Sequence, residues 1–488
     1  MSRAEQGTLT VNKTGIPLNP ERGKLNLCKI ARSCVRSLLL LLLLVTPGSG
    51  GEKYKPSTLV FPTRMHAPIR KGTKFHLFLY MQNRVKINNP QGVAVTRLTS
   101  WDDPKEKGDD DEVTVYGVNS GQNVIIYNTS KLTVSVYGLN ERGEGKLNAP
   151  HGITAAPWGD VYVADTGNNR VVHLYNPSKN LAFKNAVLAG ELLAPTDVAL
   201  TADSSLFVTD TGNNRVLWLR ADTLHKVLVE SGSSAPGVIR PTGIAAISRR
   251  DRWNFWRQDF IVVIDQGGMR IQKFGRNGQL LAAVQTADFG LNSADFQYLM
   301  IDYYNNIWVS DRENHCLHKF DRNLKFLTTF GRRGDDDFEF IQPRGIALYR
   351  RFGQVLVAEK ESAQYYWVGT DVKNFAAVVD TNGMLDITYY LTERSNVTIE
   401  ILDSRGQVLA KPMPEVQRLA GENFEKLGGN WRTVPFFMQR GKRLYRKSTI
   451  NAVPPVAPGT YRVKMTIAAT YSSYRYFKKE IERTVLVQ

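Results

Sequence analysis

Between residues 91 and 360 the chain alternates short runs of β-branched and aromatic residues with turns rich in Gly, Asn and Asp. The clearest segment, HGITAAPWGDVYVADTGNNRVVHLY at 151–175, predicts strands separated by tight turns. It returns 45 residues later as TDVALTADSSLFVTDTGNNRVLWLR at 196–220. Further copies fall at 242–281, 298–331 and 344–360, and a more diverged one starts at QGVAVTRL, 91–98, and resumes at 112–128. Each unit reads as four strands in about 45 residues and cannot bury both faces of its own sheet, so six such units are expected to stack around an axis.

The repeat has a specific form: a proline, one variable residue, Gly-Ile, a hydrophobic strand ending in Ala-Asp, and a turn ending in Asn-Arg. In this form, over roughly residues 73–375, the chain resembles the NHL-repeat family of β-propellers; the WD40 signature is absent. The resemblance implies a six-bladed ring within residues 52–375. Closing it needs a strand from the far end of the chain, and the alternating run FHLFLYM at 75–81 is expected to supply it by pairing with the last blade.

From about residue 376 the repeat is lost. Alternating segments such as ITYYLTERSNVTIEIL and GTYRVKMTIAA, split by Asp-Ser-Arg-Gly and Pro-Gly-Thr turns, predict a small antiparallel Ig-like β-sandwich over 376–488. These segments resemble the FlgD-like immunoglobulin-fold domain at the ends of bacterial surface proteins; the basic run 437–447 lies outside the likeness. The whole is therefore expected to be all-β.

Residues 1–51 form a leader. Basic residues Lys29, Arg32 and Arg36 precede the apolar core at 38–45, and small residues follow, which is the order of a secretory signal. An uncleaved anchor is the competing reading, against which stands a core too short to span a bilayer. Export to a periplasmic, cell-surface or extracellular location is expected, with no transmembrane helix beyond the leader. Cys28 and Cys34 fall in that leader, leaving Cys316 alone, so no disulfide and no RING-type zinc module is expected. The net charge of +17 raises nucleic acid as a partner, but the charge is dispersed without a long basic run, and nucleic acid is not expected.

Three sets of residues invite a functional reading. The repeated acids Asp165, Asp210, Asp265, Asp311 and Glu359 sit where a strand enters a turn, and turn chemistry accounts for them better than a metal ring does. The variable residue after each proline lies where a connection drops into the innermost strand. The positions are Gln91, His151, Thr196, Thr242 and Arg344, with Gln297 as the equivalent in the blade that lacks the proline, all polar, and they are expected to ring one mouth of the channel as a ligand-binding site. Peptidyl-hydroxyglycine lyases, which resemble NHL propellers, hold zinc with histidines at this position in three blades; only His151 matches here, so neither metal nor other cofactor is expected.

The third set is the insertion RRDRWNFWRQ at 249–258, which with the acidic insertion at 101–112 is expected on the face opposite that mouth. Arg252, Trp253 and Trp256 are candidates for stacking on a ligand, with a loop folded onto the propeller as the alternative. No G-x-S-x-G elbow, H-E-x-x-H helix or P-loop is present, and no catalytic residue is assigned. The reading is a monomeric, exported, non-catalytic scaffold for a protein or carbohydrate ligand at the bacterial cell envelope. The alternative is a propeller hydrolase or lyase with its site around His151 and Arg344.

Overall fold

A computed structural model describes residues 56–488 except 65–66, 68, 102–112, 131–132, 232–236, 440–441 and 472–476. The leader and the core of the acidic insertion lie outside the described residues. Among those described, six antiparallel sheets follow one another along the chain as blades one to six. Their innermost strands are Pro90–Thr96, Ile153–Ala155, Pro195–Leu200, Ile244–Ile247, Phe296–Ile301 and Ile346–Tyr349. Each begins within two residues of one of the predicted mouth positions, and each blade then runs outward by antiparallel pairing.

The closing strand differs from expectation. Residues 75–81 are helical, within α1 (Lys74–Met81), and the outer edge of blade six is completed by Leu59–Val60 and Lys71–Thr73, both paired with Ser362–Val368. The run KFHLFLYM contains no β-branched residue, Gly or Pro, so nothing in it opposes a helix. His76 tips the balance, because its Nδ1 accepts the Thr73 backbone N–H at 3.2 Å and ties off the first turn.

The repeated acids stitch the ring. Asn119, Asp165, Asp210, Asp265, Asp311 and Glu359 occupy equivalent positions and are all buried. Each accepts the backbone N–H of the linker leading into its own blade, from Asn88, Asn148, Leu193, Ile239, Asp295 and Ile341 at 2.7–3.2 Å. The carboxylate thus satisfies a donor that no strand reaches. Asp165, Asp210 and Asp265 pair in addition with Arg170, Arg215 and Arg270.

Beyond Val368 the chain forms two larger antiparallel sheets, one of three strands and one of four, and a two-stranded ribbon of Phe437–Gln439 with Lys442–Leu444. The first of these strands, Val372–Val379, spans the boundary expected at 375/376. Inward residues of both sheets, among them Ile387 and Leu427 from one and Ile399 and Met465 from the other, share a single apolar cluster. The tail sits against blade five through Lys319 and Glu393, Tyr304 and Thr470, and Tyr390 and the Leu327 carbonyl. No helix among the described residues is long and apolar enough to cross a membrane.

Candidate functional site

The mouth residues come together at the start of the innermost strands, and most are engaged with their neighbours. His151 Nδ1 lies 3.0 Å from the Ala149 carbonyl, which assigns the proton to that nitrogen, and 2.9 Å from Thr166 Oγ1. Burial lowers its pKa, and the Arg344 cation adds to the effect, so the imidazole is neutral. Thr196 donates to the Thr242 carbonyl at 2.8 Å, Gln297 donates to Asp295, and Arg344 donates to Asn89. Gln91 donates to the same Asn89 at 3.1 Å. Thr242 is the exception: its hydroxyl is buried without a partner.

One residue further along, the innermost strands present Gly92, Gly152, Asp197, Gly243, Tyr298 and Gly345. The glycines let neighbouring strands approach backbone to backbone. A Cβ on Gly345 would stand 2.2 Å from the Gln91 carbonyl oxygen, and one on Gly152 would stand 2.1 Å from Asp197 Oδ1. Asp197 and Tyr298 break this layer and fill its centre. The carboxylate of Asp197 accepts the Val198 and Ile244 N–H groups at 2.9 Å each, yet burial pushes its pKa up to about 8. Tyr298 reaches across to donate to Gln91 Oε1 at 3.2 Å, and burial raises its phenol well above the ordinary range.

Sequence reading singled out neither Asp197 nor Tyr298. The signal was there: Pro-Thr-Asp at 195–197 stands where Pro-x-Gly is the rule. Below them lies a hollow of about 160 Å³ lined by the innermost strands of all six blades. Its far end carries Arg350, held by Asp251 of the fourth-blade insertion at 2.6 Å.

That insertion connects the first two strands of blade four and is braced by the buried Asn254, whose amide donates to the Ser248 and Gln258 carbonyls. Phe255 is exposed, yet it lies against Tyr303 and Tyr304, with Arg394 of the tail over its ring at 4.6 Å. Trp253 and Trp256 are half-buried, and Arg252, Arg351 and Arg322 lie over their faces. Beside the insertion, between blades three and four, is an open hollow of about 550 Å³ lined by Arg220, Arg249, Arg250, Arg276, Asp203 and Asp259 among others. Asp203 neutralises Arg276 and Asp259 pairs with Arg249. Arg220 and Arg250 remain exposed.

Among the described residues, one cluster offers metal-ligating atoms. In blade five, Cys316 stands where blades two to four carry the arginine that pairs with the acid, and His318 Nε2 takes over that pairing, 3.1 Å from Asp311 Oδ2 and 3.5 Å from Cys316 Sγ. Burial pushes the thiol pKa up, which favours the uncharged thiol.

The NHL repeat family matches residues 147–174. The chain is 26% identical over 140 residues to Protein brain tumor of Drosophila melanogaster, a match that takes in 25% of this chain and spans only 13% of that protein. Among solved structures it is similar to virginiamycin B lyase of Staphylococcus aureus, at 16% identity over 52% of this chain and 76% of that one, with a TM-score of 0.37. It is also similar to PorZ, a surface component of the type-IX secretion system of Porphyromonas gingivalis, at 13% identity over 85% of this chain and 54% of that one, with a TM-score of 0.42. The matched NHL repeat forms blade two, and the blades around it have the same strand order, as in a β-propeller built on that repeat.

Proposed function

We propose that the protein is an exported, non-catalytic binding platform that engages an anionic protein or carbohydrate ligand on the propeller face bearing the 249–258 insertion. The observation that carries this reading is the contrast between the two faces. At the mouth, five of the six polar side chains named above are spent on the neighbouring Asn89 and Asp295 side chains or on backbone carbonyls. On the opposite face, exposed Arg220 and Arg250 border a hollow of about 550 Å³ next to the arginine-covered Trp253. Arginine and tryptophan together supply charge, a flat apolar face and low ordering cost. Export rests on the leader, and a FlgD-like sandwich reading of the tail rests on its two sheets sharing one core; the tail would then tie the propeller to the bacterial envelope.

The test is titration of the chain with a panel of uronic-acid glycans and acidic peptides at rising salt. Arg250→Glu and Trp253→Ala are each expected to weaken binding about tenfold, as central interface residues do, and His151→Ala to leave it unchanged. Binding that survives both face variants and is lost with His151→Ala would move the function to the mouth. There the unshared Nε2 of His151, the Arg344 guanidinium and Asp197 would support a hydrolase or lyase instead.

A further inference from the structure

Five of the six interfaces between consecutive blades are filled by an apolar cluster: blades one and two, two and three, three and four, four and five, and five and six. Among the described residues no such cluster joins blade six to blade one. A cavity of about 300 Å³ takes its place, lined almost wholly by apolar atoms.

Three substitutions within the repeat create it. Gly117 stands where the other blades have Val163, Val208, Val263, Val309 and Val357, all fully buried. Ala363 stands where they have Ile125, Val171, Val216, Ile271 and Leu317, likewise fully buried, and Ala363 is exposed. Asn128 replaces Leu174, Leu219, Phe274, Phe320 and Tyr366, and turns its amide to the backbone of Val113 and Val115. All three line the one cavity. A packed interior tolerates few voids larger than a water molecule, so three coincident truncations mark a space kept open for a guest.

We infer that this seam binds an unbranched hydrocarbon chain, that of a fatty acid or of a lipid. The cavity runs from Gln91 and Val93 on the innermost strand of blade one to Val134 on its outermost. Three strand spacings of about 4.8 Å make that about 14 Å, the reach of a medium acyl chain. The helix α1 closes the outer side with Leu77 and Tyr80. His76 supplies the polar end: its Nδ1 accepts from Thr73, which leaves Nε2–H as a donor to a carboxylate or ester oxygen. The same helix exposes Phe75, Phe78 and Leu79, apolar surface of the kind a chain leaving an apolar phase would cross.

The experiment is calorimetric titration of the full chain with sodium decanoate, paired with flotation on phosphatidylcholine vesicles. Saturable one-to-one decanoate binding is expected, weakened at least tenfold in Gly117→Val and in Ala363→Leu. Gly117→Val fits without strain, since a Cβ there meets nothing nearer than the Ile126 carbonyl oxygen at 4.0 Å. Circular dichroism checks both folds, and Ala363→Leu tests the seam from its exposed side. Decanoate binding without flotation supports a free fatty acid as the source, and flotation lost in Gly117→Val supports a lipid's own chain. Absence of saturable decanoate binding with flotation either absent or undiminished in the filled variants overturns the inference, as does decanoate binding that both filled variants retain.

Discussion

Lys319 Nζ and Glu393 Oε2 meet at 2.5 Å with neither side chain exposed, joining the third strand of blade five to the tail. Lys319 donates also to the Thr392 carbonyl at 2.9 Å and lies over the Trp308 ring, so the charge is fully enclosed by partners. Removing one member strands the other in a dry interface at a cost of about 3–5 kcal/mol. Lys319→Met and Glu393→Leu are each expected to lower stability by that amount, and the double variant by less than either. Urea unfolding of the four proteins checks it; additive losses would mean that the pair does not hold the tail in place.

Asp197 makes stability depend on pH. Its folded pKa of about 8 lies above the unfolded value near 3.9, so the fold binds its proton more tightly than the unfolded chain does. The stabilisation is complete below about pH 4 and is lost as pH rises towards 8, at up to about 1.4 kcal/mol per unit. Urea midpoints measured at pH 5.5 and 8.5 are expected to fall for the native chain and to differ less for Asp197→Gly, which restores the residue of four other blades. An unchanged pH dependence in that variant would remove Asp197 as its source.

Gly345 seals the ring where blade six meets blade one. An added Cβ would lie 2.2 Å from the Gln91 carbonyl oxygen, a backbone atom that cannot turn aside. Gly345→Ala is expected to destabilise by more than about 3 kcal/mol, in the range reserved for disrupted backbone packing. Thermal unfolding measures this, and a native melting temperature would contradict so close an approach.

Cys316 is buried, and burial raises its thiol pKa. In the full chain with Cys28 and Cys34 replaced by Ser, Ellman's reagent is expected to label it at least a hundredfold more slowly than in urea, because only the exposed thiolate reacts. Equal rates would show that blade five opens readily.

How far the sequence led varied by element. The six blades were legible because each repeats a local pattern of strand, turn and polar punctuation, and the proline before His151 and Thr196 marks where the chain enters the innermost strand. The run at 75–81 was misread because alternation alone does not separate a strand from a short helix, and the deciding contact is one hydrogen bond from Thr73 to His76. The role of the repeated acids was read as local turn chemistry, whereas their main bond is to the linker before each blade.

The sequence by itself determined the ring, its blade number and the polar residue at the head of each innermost strand, because these follow from periodicity and from the burial needs of a single sheet. Only the tertiary structure decided what lies between elements distant in the chain. Lys319 finds Glu393 across 74 residues, Tyr298 finds Gln91 across 207, and Gly117 and Ala363 empty the same seam from opposite ends of the propeller. Closure of the ring brings such positions together, and no local pattern records which face of a blade will meet its neighbour.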